Sequence, residues 1–306
     1  MSDCTSQAAD TGSLLGTRVG GLFGILVVST IGVFIPLVAA QSQRVTGAFF
    51  VVRALAAGVV LATGFVHVLG DAFPILTDPC LNLSTTYPWA MTFATAAVLF
   101  TFVLEFCLGK YFRRRAAQLE AFADKPVDAE RARQPIDEKA AAQDRRRRMY
   151  VTASLTFECG IIFHSIFIGI TLGVTSDPDT AKALAVALCL HQACEGMALG
   201  ATFVKAEYSL LKYAILGIVF VLVTPIGVAI GIGVGSAYQS ESVLALGFEG
   251  AFDSLSAGIL IYNAIADLIL PTFSEEEMPQ NAWLQAAAMV ALFAGAAIMA
   301  LIGKWA

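Results

Sequence analysis

Three histidines occur in the whole chain, His67, His164 and His191, and each falls inside a long apolar run. His191 and Glu195 stand four residues apart, about one turn along the same helical face, with Gln192 beside them. His164 is followed directly by Ser165, and His67 and Asp71 repeat the four-residue spacing. Imidazole nitrogen with carboxylate, amide and hydroxyl oxygen is a ligand set for first-row divalent metals, between the all-oxygen sites of calcium and the thiolate sites that hold zinc tightly. Neither the His164-Ser165 pair nor the His191, Gln192, Glu195 group completes a four-coordinate site alone, but two helices carrying them face to face would. An ionisable side chain at membrane depth costs several kcal/mol unless it is paired, hydrated or bound to an ion. These residues are therefore read as ion ligands in preference to structural hydrogen-bond partners. Glu158 lies six residues before His164, roughly 240° around an ideal helix, so it leaves that face and stands as a secondary ligand or a buried hydrogen-bond partner.

The elements that must position these groups are membrane-length helices. The 306 residues are 57% apolar and 14% charged, against about 25% charged in soluble chains, and the mean hydropathy is +0.73. Apolar runs of roughly 20 residues, the length that crosses a bilayer core as helix, recur along the sequence. They fall at about Arg18 to Ala40, Ala48 to Phe73, Trp89 to Leu108, Met149 to Val174, Ala181 to Val204, Leu210 to Ala237, Ser242 to Leu270 and Trp283 to Ile302. The fold class is accordingly an all-α polytopic membrane protein with eight transmembrane helices. Gly169 and Gly173 on the fourth run, and Gly196 and Gly200 on the fifth, have the small-xxx-small spacing that would let these two helices pack backbone to backbone.

The organisation expected is an extracellular segment at 1–17, spans one to three within 18–109, a basic loop at 110–148 and spans four to eight within 149–306. That loop holds 12 of the 19 basic residues in mixture with Asp and Glu, includes Pro126 and Pro135, and is expected to be cytosolic and partly disordered. Alternation then puts both termini outside with the loop containing Asn82-Leu83-Ser84, a glycosylation acceptor pattern. Cys4 and Cys80 fall on the same oxidising face, where a disulfide between them is expected, with two free thiols or pairing with a second subunit as the alternatives. Cys107, Cys159, Cys189 and Cys194 fall in apolar runs and are read as small buried hydrophobes. The net charge of −5 and the concentration of the basic residues in one segment exclude nucleic acid as a partner.

The combination of His67 and Asp71 in the second run, His164-Ser165 in the fourth and His191-Gln192-Ala193-Cys194-Glu195-Gly196 in the fifth resembles the ZIP (ZRT/IRT-like) metal transporters, most closely their plant and fungal branch. Ala62-Thr63-Gly64-Phe65-Val66-His67-Val68-Leu69 and Ser254-Leu255-Ser256-Ala257-Gly258-Ile259-Leu260-Ile261-Tyr262 are similar to that branch as well. The resemblance implies an importer of Zn2+, or of Fe2+, Mn2+ or Cd2+, that binds its cargo transiently, has no resident cofactor and works as a homodimer in the lipid bilayer. It implies a central site of His164, Ser165, His191, Gln192 and Glu195, with His67 and Asp71 on the pathway. It also implies an inverted repeat of spans one to three and six to eight around the fourth and fifth, with the metal-carrying helices sliding against the dimerising ones. Two departures stand out. The 110–148 loop has no histidine, unlike the histidine-rich loop of many members, and Gly169 and Thr224 stand near positions where bacterial members carry further carboxylates, which speaks against a second bound ion.

Imidazole, amide, hydroxyl and one carboxylate hold an ion less tightly than several thiolates, as a transported ion requires, and protons would compete for the imidazoles in acid. No Walker motif supplies an ATPase. The chain is not read as an enzyme: an intramembrane metal-dependent hydrolase, the nearest rival, would need a set such as HExxH, which is absent. A non-transporting receptor and an exporter are two further rivals to the importer. The plasma membrane is the expected location, a vacuolar or plastid membrane the second.

Overall fold

In the computed structural model the described residues are 14–40, 46–83, 86–123, 138–175, 177–234, 243–274 and 278–303, and they contain no strand. Among the described residues eight helices are long and apolar enough to cross a membrane: Leu15–Ala40, Gly47–Leu76, Trp89–Tyr111, Gln143–Val174, Pro178–Lys205, Leu210–Gly233, Leu246–Thr272 and Ala282–Ile302, here spans one to eight. Only a helix pairs every backbone group of such a segment internally, which hydrocarbon demands. Several hydroxyls within the spans follow the same rule. Ser29 donates to Ile25 O at 2.6 Å, Thr63 to Val59 O at 3.0 Å and Thr202 to Ala198 O at 2.9 Å, each within its own helix.

The spans pair off in two sets. Span one lies along span five, span six along span four, and spans one and six touch; separately, span two lies along span eight and span three along span seven. Spans four and seven, and spans two and five, join the sets. Spans two and seven each contain one π-helical stretch, Thr63–Val68 and Ala264–Ile269. There the N–H of Leu69 reaches Gly64 O and that of Leu270 reaches Ile265 O, five residues back. Such turns insert a residue into the helix, rotate everything beyond it, and occur frequently at functional sites.

The glycine pattern does not join spans four and five to each other. A Cβ on Gly169 would lie 2.6 Å from Thr224 O, and one on Gly173 2.6 Å from Gly231 Cα, so these glycines seat span six. A Cβ on Gly196 would lie 2.9 Å from Val33 N, so the glycines of span five seat span one. The polar side chains that spans four and five direct at each other need room that backbone contact would remove. The cysteines depart from expectation too: Cys107 and Cys159 are exposed on their helices and Cys189 and Cys194 are half-buried, because an apolar run in a bilayer has a lipid face as well as a core face.

Span three continues as helix to Ala123, and the helix of span four begins at Glu138, so the described parts of the basic segment are helical extensions of the spans. At that end Arg147 Nε donates to Ala206 O at 3.3 Å and Tyr208 meets Ser154 Oγ at 2.6 Å. At the other end Asp177 caps span five, accepting from Thr180 N at 2.7 Å just before Pro178. That backbone bond holds the Asp177 carboxyl below its usual range.

Candidate metal centre

Span four presents His164 and Ser165, and span five presents His191, Gln192 and Glu195, to the space between them; all five are buried. One donor atom each from His164, His191 and Glu195 lie within 4.8 Å of one another. The four-residue step from His191 to Glu195 stacks both on one helical face, as the spacing requires. Every side-chain nitrogen and oxygen of these five residues is buried and without a hydrogen-bond partner. Each such atom costs about 1–3 kcal/mol relative to a satisfied one, and protein cores avoid leaving them. Convergent unpartnered donors of this kind are what an ion completes.

Span two adds a third imidazole. The His67 ring lies 5.5 Å from that of His191 and 5.9 Å from that of His164, and those two are 6.0 Å apart, centre to centre. His67 sits in the π-helical stretch, is fully buried, and neither of its ring nitrogens is hydrogen-bonded. Its Nδ1 is 3.0 Å from Asp71 Oδ2, an ion-pair contact without hydrogen-bond alignment. Spacing within span two identified His67 and Asp71 but not their meeting with the other two histidines. The ends of the apolar runs gave no such signal: the run holding His67 closes at about Phe73, whereas its helix continues to Leu76, which brings His67 to a depth similar to that of His164 below Val174.

Other candidates stay apart. Glu158 is buried, with Oε1 unpartnered, but outside the cluster, as helical phase requires. Thr224 Oγ1 is likewise buried and unpartnered, on span six. Asn82 is exposed and ends the 3-10 turn Pro79–Leu81 in the left-handed region, φ 51°, while Ser84 lies outside the described residues. Cys80 is disulfide-bonded; Cys4, and with it the expected Cys4–Cys80 pairing, lies outside the described residues.

A family model described as ZIP Zinc transporter matches residues 15–303. The chain is 36% identical over 293 residues to "Zinc transporter 3" of Arabidopsis thaliana, covering 94% of this chain and 84% of that one. It is 32% identical over 323 residues to "Zinc transporter 5" of Oryza sativa subsp. japonica, covering 99% and 92%. With "Fe(2+) transport protein 1" of Arabidopsis thaliana it shares 33% over 316 residues, covering 99% and 91%.

Proposed function

Because this chain belongs to the ZIP zinc-transporter family, we propose that it is an integral membrane importer of divalent transition-metal ions, zinc first and Fe2+, Mn2+ or Cd2+ next. The ion is carried toward the cytosol and held between spans four and five by His164, Ser165, His191, Gln192 and Glu195. The observation that carries this reading is the buried cluster of wholly unpartnered donors on those two spans. Relatives named for zinc and for Fe(2+) transport agree with nitrogen and oxygen ligands of intermediate softness.

Alternating access is supported by the pairing of the spans. Exchanging spans one to three for six to eight, and four for five, maps the pairing of one with five onto that of six with four, and the pairing of two with eight onto that of seven with three. The π-helical stretches of spans two and seven exchange as well. An inverted repeat produces such a pattern. The ion ligands of spans four and five belong to one set and His67 to the other, so relative sliding of the sets takes the ion away from His67. Spans three and eight bury only 17% and 22% of their most apolar windows, leaving faces for lipid and for a second copy in a homodimer. The arginine run at Arg145 to Arg148 supports a cytosolic position for its end of the bundle. The opposite end, with Asn82 and Cys80, then faces outside; the plasma membrane is the proposed location, and a glycosidase shift that Asn82→Gln removes tests passage through the secretory route.

The deciding measurement is uptake of radioactive zinc and iron by cells expressing wild type or His191→Ala. Accumulation that depends on wild type and is lost in the variant is expected. No accumulation with wild type overturns the importer.

A further inference from the structure

We infer that Glu158 is a second stop for the ion, on the side of the imidazole cluster that faces the arginine run. A cation leaving the cluster passes to the Glu158 carboxylate and the Thr202 hydroxyl oxygen, and repulsion from Lys212 then releases it. The inference rests on the importer reading above, since it supplies the ion's way out toward the cytosol.

Glu158 stands seven residues before Ser165 on span four, two helical turns away and on nearly the same face. Span five runs the opposite way, its end meeting the start of span four where Arg147 Nε donates to Ala206 O. On it Thr202 stands seven residues after Glu195. Both steps therefore descend about 10 Å from the cluster toward the arginine run and keep the face that carries the ligands. Glu158 and Thr202 are both buried. Thr202 donates its proton to Ala198 O at 2.9 Å, and its oxygen keeps lone pairs that a cation can use. Between the two levels, Ile161 and Leu199 belong to one buried apolar core. The step is closed in this conformation, and sliding of the two sets of spans opens it.

Two observations separate Glu158 from a structural hydrogen-bond partner. Its Oε1 is buried without a partner, which costs several kcal/mol for an ionised group at membrane depth. Ser154, one turn away on the same face, is already engaged by Val151 O at 2.9 Å and the Tyr208 hydroxyl at 2.6 Å. The second observation is Lys212, exposed near the start of span six. Its ammonium lies 3.7 Å over the Tyr208 ring and close enough to attract the Glu158 charge. Lys212 thus compensates the carboxylate when no ion is there and repels an ion that arrives. Two oxygens beside a lysine hold a divalent ion briefly, where the imidazoles hold it selectively.

Zinc uptake into proteoliposomes carrying the purified full chain tests the assignment, with zinc affinity read by thermal unfolding in detergent. Glu158→Gln is expected to lower the maximal rate about 10-fold while zinc affinity at the cluster stays within about two-fold. Glu158→Asp should keep more of the rate than Glu158→Gln because it keeps the charge; a hydrogen-bonding role would favour the isosteric amide. Lys212→Gln, on an exposed side chain, serves should the buried changes impair folding. It should lower the maximal rate about 3-fold by letting the ion linger, and Lys212→Arg should not. Glu158→Gln/Lys212→Gln should be no slower than Glu158→Gln alone, since the lysine acts through the carboxylate. A wild-type rate in Glu158→Gln or Lys212→Gln, an amide faster than the aspartate, or additive losses in the double variant overturns the second stop and leaves the importer. Wild-type protein that accumulates no zinc removes the importer, and the second stop with it.

Discussion

Two groups of buried polar side chains lie within these spans, and they treat their hydrogen bonds in opposite ways. Around Asn263, in its corrected amide orientation, Nδ2 donates to Asp267 Oδ2 at 3.0 Å and to Thr156 Oγ1 at 3.3 Å, and Oδ1 accepts from Phe157 N at 3.1 Å. Glu105 extends the group by accepting from the Tyr262 hydroxyl and by bonding to Asp267. None of these side chains has a buried polar atom without a partner. The imidazole cluster is as deeply buried, and none of its donors has one. Both groups use a π-helical stretch, which holds Asp267 in one and His67 in the other. The local device is shared; what separates a structural network from a candidate binding site is whether the protein finishes the polar accounting itself.

That contrast is broken or sharpened first at the ligands. His191→Ala or Glu195→Ala is expected to lower zinc affinity and uptake about 100-fold or more, beyond the 10–100-fold range typical of residues that only orient ligands. Zinc at 100 times its Kd should stabilise wild type by about 2.7 kcal/mol and these variants hardly at all, read as thermal unfolding in detergent with and without ion. Wild-type uptake by either variant would show that unpartnered donors here do not mark the site. His67→Ala should lose less, about 10-fold in zinc affinity, because the donors of spans four and five remain. A loss as complete as that of His191→Ala would make all three imidazoles one indivisible site.

In the opposite group, Asn263→Leu should leave zinc affinity per folded molecule within about two-fold while lowering stability by about 1–3 kcal/mol, since Asp267 and Phe157 N each lose a hydrogen bond while Thr156 keeps those to its own helix. An unchanged melting profile with lost zinc binding would reverse the two assignments.

The sequence made the helices and the candidate ligands of spans four and five legible, because both are local properties. Hydrocarbon thickness selects runs of one length, and a four-residue step puts His191 over Glu195 whatever surrounds them. Partners across the bundle were not legible. Gly169 and Gly196 carry the spacing of close-packed helices, but spacing does not name the neighbour, and they seat spans six and one. The π-helical stretch that holds His67 leaves no compositional trace in Thr63-Gly64-Phe65-Val66-His67-Val68, since a register shift of one residue is set by what the rest of the bundle demands. Phase arithmetic turned Glu158 away from the face of His164, and span four is regular α-helix from Glu138 to Val174. In span two the same arithmetic had no means to bring His67 to the cluster.

Ser256 sets the smallest and sharpest test of the contrast. Its Oγ is buried and unpartnered like the donors of the cluster, yet it lines a cavity of about 300 Å³ between spans three, four and seven whose other walls are Ala96, Ala97, Phe100, Phe163, Phe252, Leu255 and Ile259. One weak donor among apolar walls cannot replace the hydration of a divalent ion, which needs several converging ligands. Lack of a partner alone should therefore not confer function; convergence should. Ser256→Ala is expected to raise stability in detergent by about 1 kcal/mol, the cost of an unsatisfied hydroxyl, and to leave zinc uptake unchanged. A variant that loses uptake would place an ion contact where no second donor stands, and would undo the rule by which the imidazole cluster is assigned.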